Sequence, residues 1–345
     1  VRYAILVPGP ATGREEIAAG RAPRRDYLDV ADALGAKIIE LGPRWSRGAI
    51  RSGLAAAIAA FTRRGEYDVI VTMAERSGIP LSFLLRLGRA RRGHVMIAHW
   101  LSPAKKRFAL QWSLASSAID RIVVYGSTQE RVAVEKLRLP RRRVRMLRHA
   151  ADARFWRPLG QSQSGICSAG LERRDYRTLV EAVRGMDLTL TIAAANPWTT
   201  RDPLDTDGFP SNVVKRRVDH HALRDLYDRS EFVVVPLHDV DFQAGSLVTY
   251  EAMAMGKAVI ATRTRALHGG DLVRDGETGI LVPPGDVGAL REAILRLHED
   301  PAEAKRLGAN ARRIVEAGLN HERYVEDMVR VVREVGQEVG GGKCA

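Results

Sequence analysis

Cysteine is nearly absent from this chain. Cys167 lies in an apolar, strand-like stretch and Cys344 lies next to the last position, so neither a disulfide framework nor a cysteine-based zinc site can be assembled. His220, His221 and His268 have no acids or cysteines at metal-ligand spacing, so no metal is expected and these histidines are expected at the surface. Long apolar runs are missing as well. No stretch of 18 or more apolar residues occurs, which argues against a membrane-spanning helix. The opening Val1–Gly9 is too short for a secretory core and reads as a first strand, so the expected location is cytoplasmic. Lysine is scarce, at eight of 54 basic residues. Such an arginine bias has two readings, genome composition or selection for an anionic partner. Acidic residues are thin in one half only: residues 1–150 hold 28 Lys and Arg against 12 Asp and Glu, net +16, while the remainder is net −3. The positive field therefore belongs to the N-terminal half, where it would draw anionic acceptors, lipid headgroups or nucleic acid. There is no RNA-recognition motif or zinc finger, so nucleic acid is not the expected partner.

What is present is a repeated α/β alternation. The 345 residues suit two domains, each able to bury its own core. Strands are expected at Tyr3–Val7, Ala36–Leu41, Val69–Thr72, Val95–Ala98, Arg121–Val124 and Val144–Leu147, with helices at Gly53–Arg63 and Ser127–Leu137. A second series follows, with strands at Ile166–Ser168, Leu188–Ala193, Asn212–Lys215, Phe232–Val235, Ala258–Ala261 and Gly279–Val282. Its helices are expected at Asp175–Val183, Ala222–Tyr227, Gly245–Met255, Val287–His298 and Ala302–Glu316. The fold class is thus two Rossmann-like, doubly wound parallel sheets, over 1–157 and 164–320, joined by a linker at Trp156–Gln163. A last helix covers 321–338, and the tail Gly340–Ala345 has nothing to bury.

The stretch from Phe232 to Leu281 carries the chemistry. A short β-branched strand ends at Pro236, and a loop then delivers Gly245 and Ser246 to the start of a helix. Backbone N–H groups there are unsatisfied and lie at the positive end of the helix dipole, so they bind phosphate without a basic side chain. Val248, Ala252 and Met255 share one face, which leaves Glu251 on another, where a carboxylate can grip two vicinal hydroxyls such as those of a ribose. Gly256 ends the helix.

The run Glu251-Ala252-Met253-Ala254-Met255-Gly256-Lys257-Ala258-Val259-Ile260 resembles the C-terminal domain of retaining glycosyltransferase family 4, a GT-B family of two Rossmann-like domains facing a cleft. Asp275–Asp286 also resembles that family's turn, strand and turn. The resemblance implies a nucleotide-diphosphate sugar as donor and metal-independent, hexosyl-type transfer with no further cofactor. It places Glu251 on the ribose. The family's first glutamate falls on Gln243, which offers hydrogen bonds without charge. Aligning Thr178–Ala182 puts Arg174 on the family's diphosphate-binding lysine, and Asp175 on its glycine. Arg173 and Arg174 then neutralise the leaving diphosphate, because cleavage of a sugar–phosphate bond builds negative charge there. His99, at the end of the strand Val95–Ala98, resembles a histidine that positions the reacting groups; a structural histidine is the other reading. The candidate catalytic residues are therefore His99, Arg173 and Arg174, and the donor-binding set is Gln243, Gly245, Ser246, Leu247 and Glu251.

The match is weaker in the N-terminal half. Pro8–Gly13 occupies the place of the family's glycine-rich acceptor loop without its paired glycines, and of His149–Pro158 only Asp152 and Phe155–Pro158 match the family's hinge. Ser127 reads as a helix cap. The stretch Arg89–Trp112, with Trp100, Lys105, Lys106 and Arg107, either rests on an anionic membrane surface as a peripheral contact or is a solvated helix face with two core tryptophans. The acceptor implied is a lipid-linked or anionic one. Two alternatives remain: a GT-B nucleotide-sugar epimerase, and a non-catalytic nucleotide-sugar or nucleic-acid binder suggested by Gln243 and the basic half.

Overall fold

The computed structural model describes residues 1–7, 13–40, 49–89, 91–112, 115–193, 208–266 and 272–341. Most of the Pro8–Gly13 loop, His268, Cys344 and the Trp112 side chain lie outside them. The chain divides into two units: Val1–Arg14 with Arg24–Arg148 and Glu322–Ala345, and Glu15–Pro23 with His149–His321. Each is built on a six-stranded, wholly parallel sheet.

In the first unit the strands are β1 (Tyr3–Val7), β2 (Lys37–Glu40), β3 (Val69–Thr72), β4 (Gly93–Ala98), β5 (Arg121–Val124) and β6 (Val144–Met146), in the order β2-β1-β3-β4-β5-β6. β3, β4 and β5 are buried along their whole length, which is why they read as unbroken apolar runs rather than alternating ones. One face packs on Ala56, Ala57 and Ala60 of the helix Ala49–Thr62 and on Leu81 and Leu85 of the helix Glu75–Leu87. The other sheet cluster gathers Met96, Ala98, Ile122 and Val124 with Leu110 and Leu137. The last helix, His321–Gly341, belongs to this unit from Glu322 onward: Tyr324 shares a 2.8 Å hydroxyl–hydroxyl hydrogen bond with Tyr125 at the end of β5, and Glu338 pairs with Arg121 at its start.

The second unit carries β7 (Ile166–Ala169), β8 (Leu190–Ala193), β9 (Val213–Arg216), β10 (Val233–Val235), β11 (Val259–Thr262) and β12 (Gly279–Val282), in the order β12-β11-β10-β7-β8-β9. The chain runs outward from β7 to β9 and then returns to β10 on the other side of β7. β7 and β10 are therefore neighbours at the point where the winding reverses, where open α/β sheets bind their ligands. Phe155 and Trp156 are buried in this unit, with Trp156 5.6 Å from the ring of Tyr227, so the chain joins the second core before Pro158.

Several local expectations change. Ser127 is the first residue of its helix rather than its cap; Gly126 holds the cap position without a side-chain bond, and the helix continues as a π-helical turn over Val132–Lys136. His220 and His221 are half-buried against the edge of Phe155, because the helix His220–Arg229 starts earlier than expected and turns them inward. The helix Ser246–Ala254 is buried almost all round, with Thr249, Tyr250 and Met253 buried alongside Val248 and Ala252; Leu247 is exposed and Glu251 half-buried. No helix of the described residues is long and apolar enough to cross a membrane.

Candidate functional site

Arg174 is the centre of the second unit's switch point. Gly170 follows β7 with φ +84°, and a Cβ added there would sit 2.8 Å from Nη2 of Arg174. Across the crevice Gly245 follows the β10 loop with φ +78°, and its added Cβ would lie 3.3 Å from Nη1 of Arg174 and 2.9 Å from Val235. The guanidinium is thus bracketed by two glycines, and any side chain at either would crowd it. Nε donates to the carbonyl of Ala169 at 2.9 Å and Nη1 to that of Glu172 at 3.0 Å. Nη2 has no hydrogen bond among the described residues.

The loop is tied across the switch. The amide of Asp175 donates to Pro236 at 3.1 Å and that of His238 to Arg173 at 3.0 Å, while Arg174 and Leu237 form an antiparallel bridge. Asp175, at the family's glycine position, caps the helix Tyr176–Val183 by accepting from Thr178 N–H. Arg174 is nine-tenths buried, and burial lowers its pKa, yet guanidinium remains charged at any ordinary pH. No carboxylate pairs with it among the described residues. A buried cation without an anion is costly, so a site of this kind is completed by an anionic ligand.

The amides of the helix Ser246–Ala254 complete the cradle. Gly245 caps that helix in the left-handed region with no side-chain acceptor, so no side chain of the cap competes for the first-turn N–H groups of Ser246 and Leu247. Ser246 is buried and the Leu247 side chain is exposed. One turn on, Glu251 accepts a 3.1 Å hydrogen bond through Oε2 from the buried hydroxyl of Tyr227. Burial first, and then the neighbouring Glu251, hold the Tyr227 phenol well above its usual pKa, which keeps it protonated and donating. Gln243 is half-buried, and its own Oε1 is buried without a hydrogen-bond partner, an unsatisfied acceptor two residues before Gly245.

The structure therefore brings Arg174, Gly245, Ser246 and Glu251 onto one set of strand ends. Arg173 differs from its neighbour: it is exposed, at φ +56°, on the outside of the loop. His99 lies in the first unit, where its Nε2 donates to the Met73 carbonyl at 3.2 Å and its ring stands 5.2 Å from that of Tyr125. Nearby, Glu75 Oε1 accepts from Trp100 N–H at 2.5 Å and from Lys106 Nζ at 3.3 Å, so Lys106 of the basic stretch is turned inward. Tyr227 and Gly170 join the candidate site, and sequence reading misses both. A phenol 24 residues before its carboxylate carries no spacing signal; Gly170, directly after a strand, could have been flagged as a close-approach glycine.

Residues 171–300 match the family described as glycosyl transferases group 1. A glycogen synthase of Mycobacterium tuberculosis is 33% identical over 129 residues, which are 36% of this chain and 30% of that protein. The chain spans less than two fifths of the length of the first curated relatives it matches. In fold, it is similar to sucrose-phosphate synthase from Thermosynechococcus elongatus, with a TM-score of 0.76 at 22% identity over 98% of this chain and 99% of the other. It is also similar to HepE of Anabaena in complex with UDP-glucose, with a TM-score of 0.70 at 14% identity over 96% of this chain and 99% of the other. The match over 171–300, which spans Arg174, Gly245 and Glu251, thus likens the second unit to the glycosyl transferases group 1 family, and the two parallel six-stranded sheets have the GT-B fold.

Proposed function

We propose that this protein transfers a sugar, of hexose type, from a nucleotide-diphosphate donor to an acceptor with retention of configuration. The observation that carries the reading is the buried, unpaired Arg174 between Gly170 and Gly245 at an uncapped helix start. The donor diphosphate lies on Nη2 of Arg174 and the amides of Ser246 and Leu247, and the ribose hydroxyls lie on Glu251, fixed by Tyr227. As the bond from the anomeric carbon to the phosphate oxygen breaks, negative charge grows where these fixed donors already point. The acceptor oxygen bonds the anomeric carbon from the face the phosphate leaves, and its proton passes to a phosphate oxygen. Arginine and amides supply the neutralising charge, so we assign metal-independent transfer. Arg173 contributes charge from the loop's outer side, and Gln243 meets the donor sugar through hydrogen bonds only. The related fold that holds UDP-glucose supports a donor of this class.

Acceptor binding is assigned to the first unit, with His99 positioning the reacting groups. Its net charge of +16 over residues 1–150 favours an anionic or lipid-linked acceptor and peripheral contact with an anionic membrane surface from the cytoplasmic side. One observation favours a second reading, a nucleotide-sugar binder without transfer: Gln243 stands where the family has a carboxylate, with its carbonyl oxygen unsatisfied. Acceptor-dependent release separates the two. The full chain, given UDP-glucose and GDP-mannose in turn with lipid-linked and phosphorylated glycan acceptors, releases free nucleoside diphosphate only in the presence of acceptor if it is a transferase. Donor-induced thermal stabilisation with no release under any pairing supports the binder, and neither binding nor release removes both readings.

A further inference from the structure

A second charged cavity lies in the first unit, at the opposite end of its sheet from the His99 loop. A cleft of about 640 Å³ is walled by Arg86 and Arg89, Arg91 and Arg92, and Arg143, together with the carboxylates Asp120 and Glu338. These residues precede or flank the amino ends of β4, β5 and β6 and the end of the last helix. Doubly wound sheets bind substrates at the carboxyl ends of their strands, so this cleft is separate from substrate binding within its own unit.

The charges in the cleft are unequally satisfied. Glu338 is taken by Arg121, which reaches it through both terminal nitrogens, and Asp120 accepts the His94 backbone N–H at 2.8 Å. Arg92 is held by carbonyls, with Nε on Arg64 at 2.8 Å and Nη1 on Arg91 at 3.0 Å. Arg86, Arg89, Arg91 and Arg143 make no side-chain hydrogen bond or ion pair among the described residues.

One arginine at the end of the helix Glu75–Leu87 is accounted for by the helix dipole, and Arg86 fills that role. The rest are not. Arg89 in particular adopts φ +46°, a left-handed conformation that glycine takes without strain, and it places a long cation on the cleft rim. Several like charges around one concavity repel, and a bound polyanion relieves that repulsion. The volume is that of a small-molecule site.

We propose that this cleft is a binding site for a compact anion bearing two or more phosphates, held by Arg86, Arg89, Arg91 and Arg143. A soluble polyphosphate and a bisphosphorylated inositol lipid headgroup share this chemistry. The test uses the full chain and inorganic tripolyphosphate, by calorimetric titration at low and at physiological salt. The triple variant Arg86→Gln, Arg89→Gly, Arg91→Gln removes exposed cations, and its glycine relaxes the backbone, so folding is preserved. It loses about ten-fold or more in tripolyphosphate affinity, whereas the charge-matched control Arg51→Gln, Arg63→Gln, Arg131→Gln, outside the cleft, stays within about two-fold.

Vesicles containing phosphatidylinositol bisphosphate then separate the sources. Recruitment of the wild type that tripolyphosphate competes away and the triple variant lacks identifies a headgroup; tripolyphosphate binding without such recruitment identifies a soluble anion. Equal losses in both triple variants, or no measurable tripolyphosphate binding by the wild type, overturn the proposal.

Discussion

At the scale of single residues the account turns on what each charged group faces. Glu251 is the best-matched residue in the sequence, and the structure adds its partner, Tyr227, whose phenol occupies Oε2. Replacing Glu251 by glutamine keeps the shape but exchanges one acceptor oxygen for a donor amide and turns a charge-assisted contact into a neutral one. A 2′-deoxy nucleotide already lacks part of that contact. Affinity for the ribonucleotide is therefore expected to fall by more than affinity for its 2′-deoxy analogue in Glu251→Gln, a cycle with the ligand as one partner. Parallel losses at unchanged melting temperature would mean that Glu251 does not hold the ribose. Arg173 and Arg174 read alike in sequence, as paired cations before a helix. Their burial separates them, because one backbone points its side chain between two glycines and the other, at φ +56°, points out.

Among elements, the strands were the most legible. Tyr3–Val7, Val69–Thr72, Arg121–Val124 and Gly279–Val282 have the bounds that their apolar runs predict, since a strand buried on both faces has nothing but its hydrophobicity to announce it. The helix Glu75–Leu87 was not legible because Pro80 lies inside it and serine and glycine interrupt its stripe. Its packing compensates: the carbonyl of Arg76, which loses its partner at Pro80, lies against Gly53 of the helix Ala49–Thr62, where a Cβ would come within 2.3 Å. Asp26–Leu34 was missed for another reason, a short amphipathic stripe in which three aspartates hide Leu28 and Val30. The site was legible where a helix start carries it, at Gly245, Ser246 and Glu251, and illegible where it depends on contacts between distant segments.

The same helix Glu75–Leu87 buries a pH-sensitive contact with β3 and β4. His94 has its ring nitrogens 3.0 Å from the Thr72 hydroxyl and 3.2 Å from that of Ser82, and full burial lowers its pKa from 6.5 to about 4. Between those values the unfolded chain binds a proton that the folded chain does not. Stability from this group is therefore complete above about pH 6.5 and is lost as pH falls toward 4. The wild type is expected to lose roughly 2 kcal/mol more than His94→Gln between pH 7 and pH 4.5. Denaturant midpoints of the two at both pH values check this, and parallel pH profiles would contradict it.

For the whole molecule, one architecture is used twice with opposite electrostatics. Residues 1–150 carry net +16 and the rest net −3, yet each half forms a parallel sheet of six strands. Fold is set by apolar periodicity, and the charge difference is free to serve partners. In the second half, where excess positive charge is absent, the proposed diphosphate site depends on one buried guanidinium and a helix start rather than on a general field. Arg174 thus makes the most direct test of the account. Affinities of the wild type and of Arg174→Ala are measured for a nucleoside diphosphate and for the corresponding nucleoside, the latter reporting whether the rest of the site is intact. The account predicts that the variant keeps nucleoside affinity and loses about ten-fold or more for the diphosphate, the size of one charge-assisted contact. An undiminished preference for the diphosphate in the variant would contradict it and place the phosphates elsewhere.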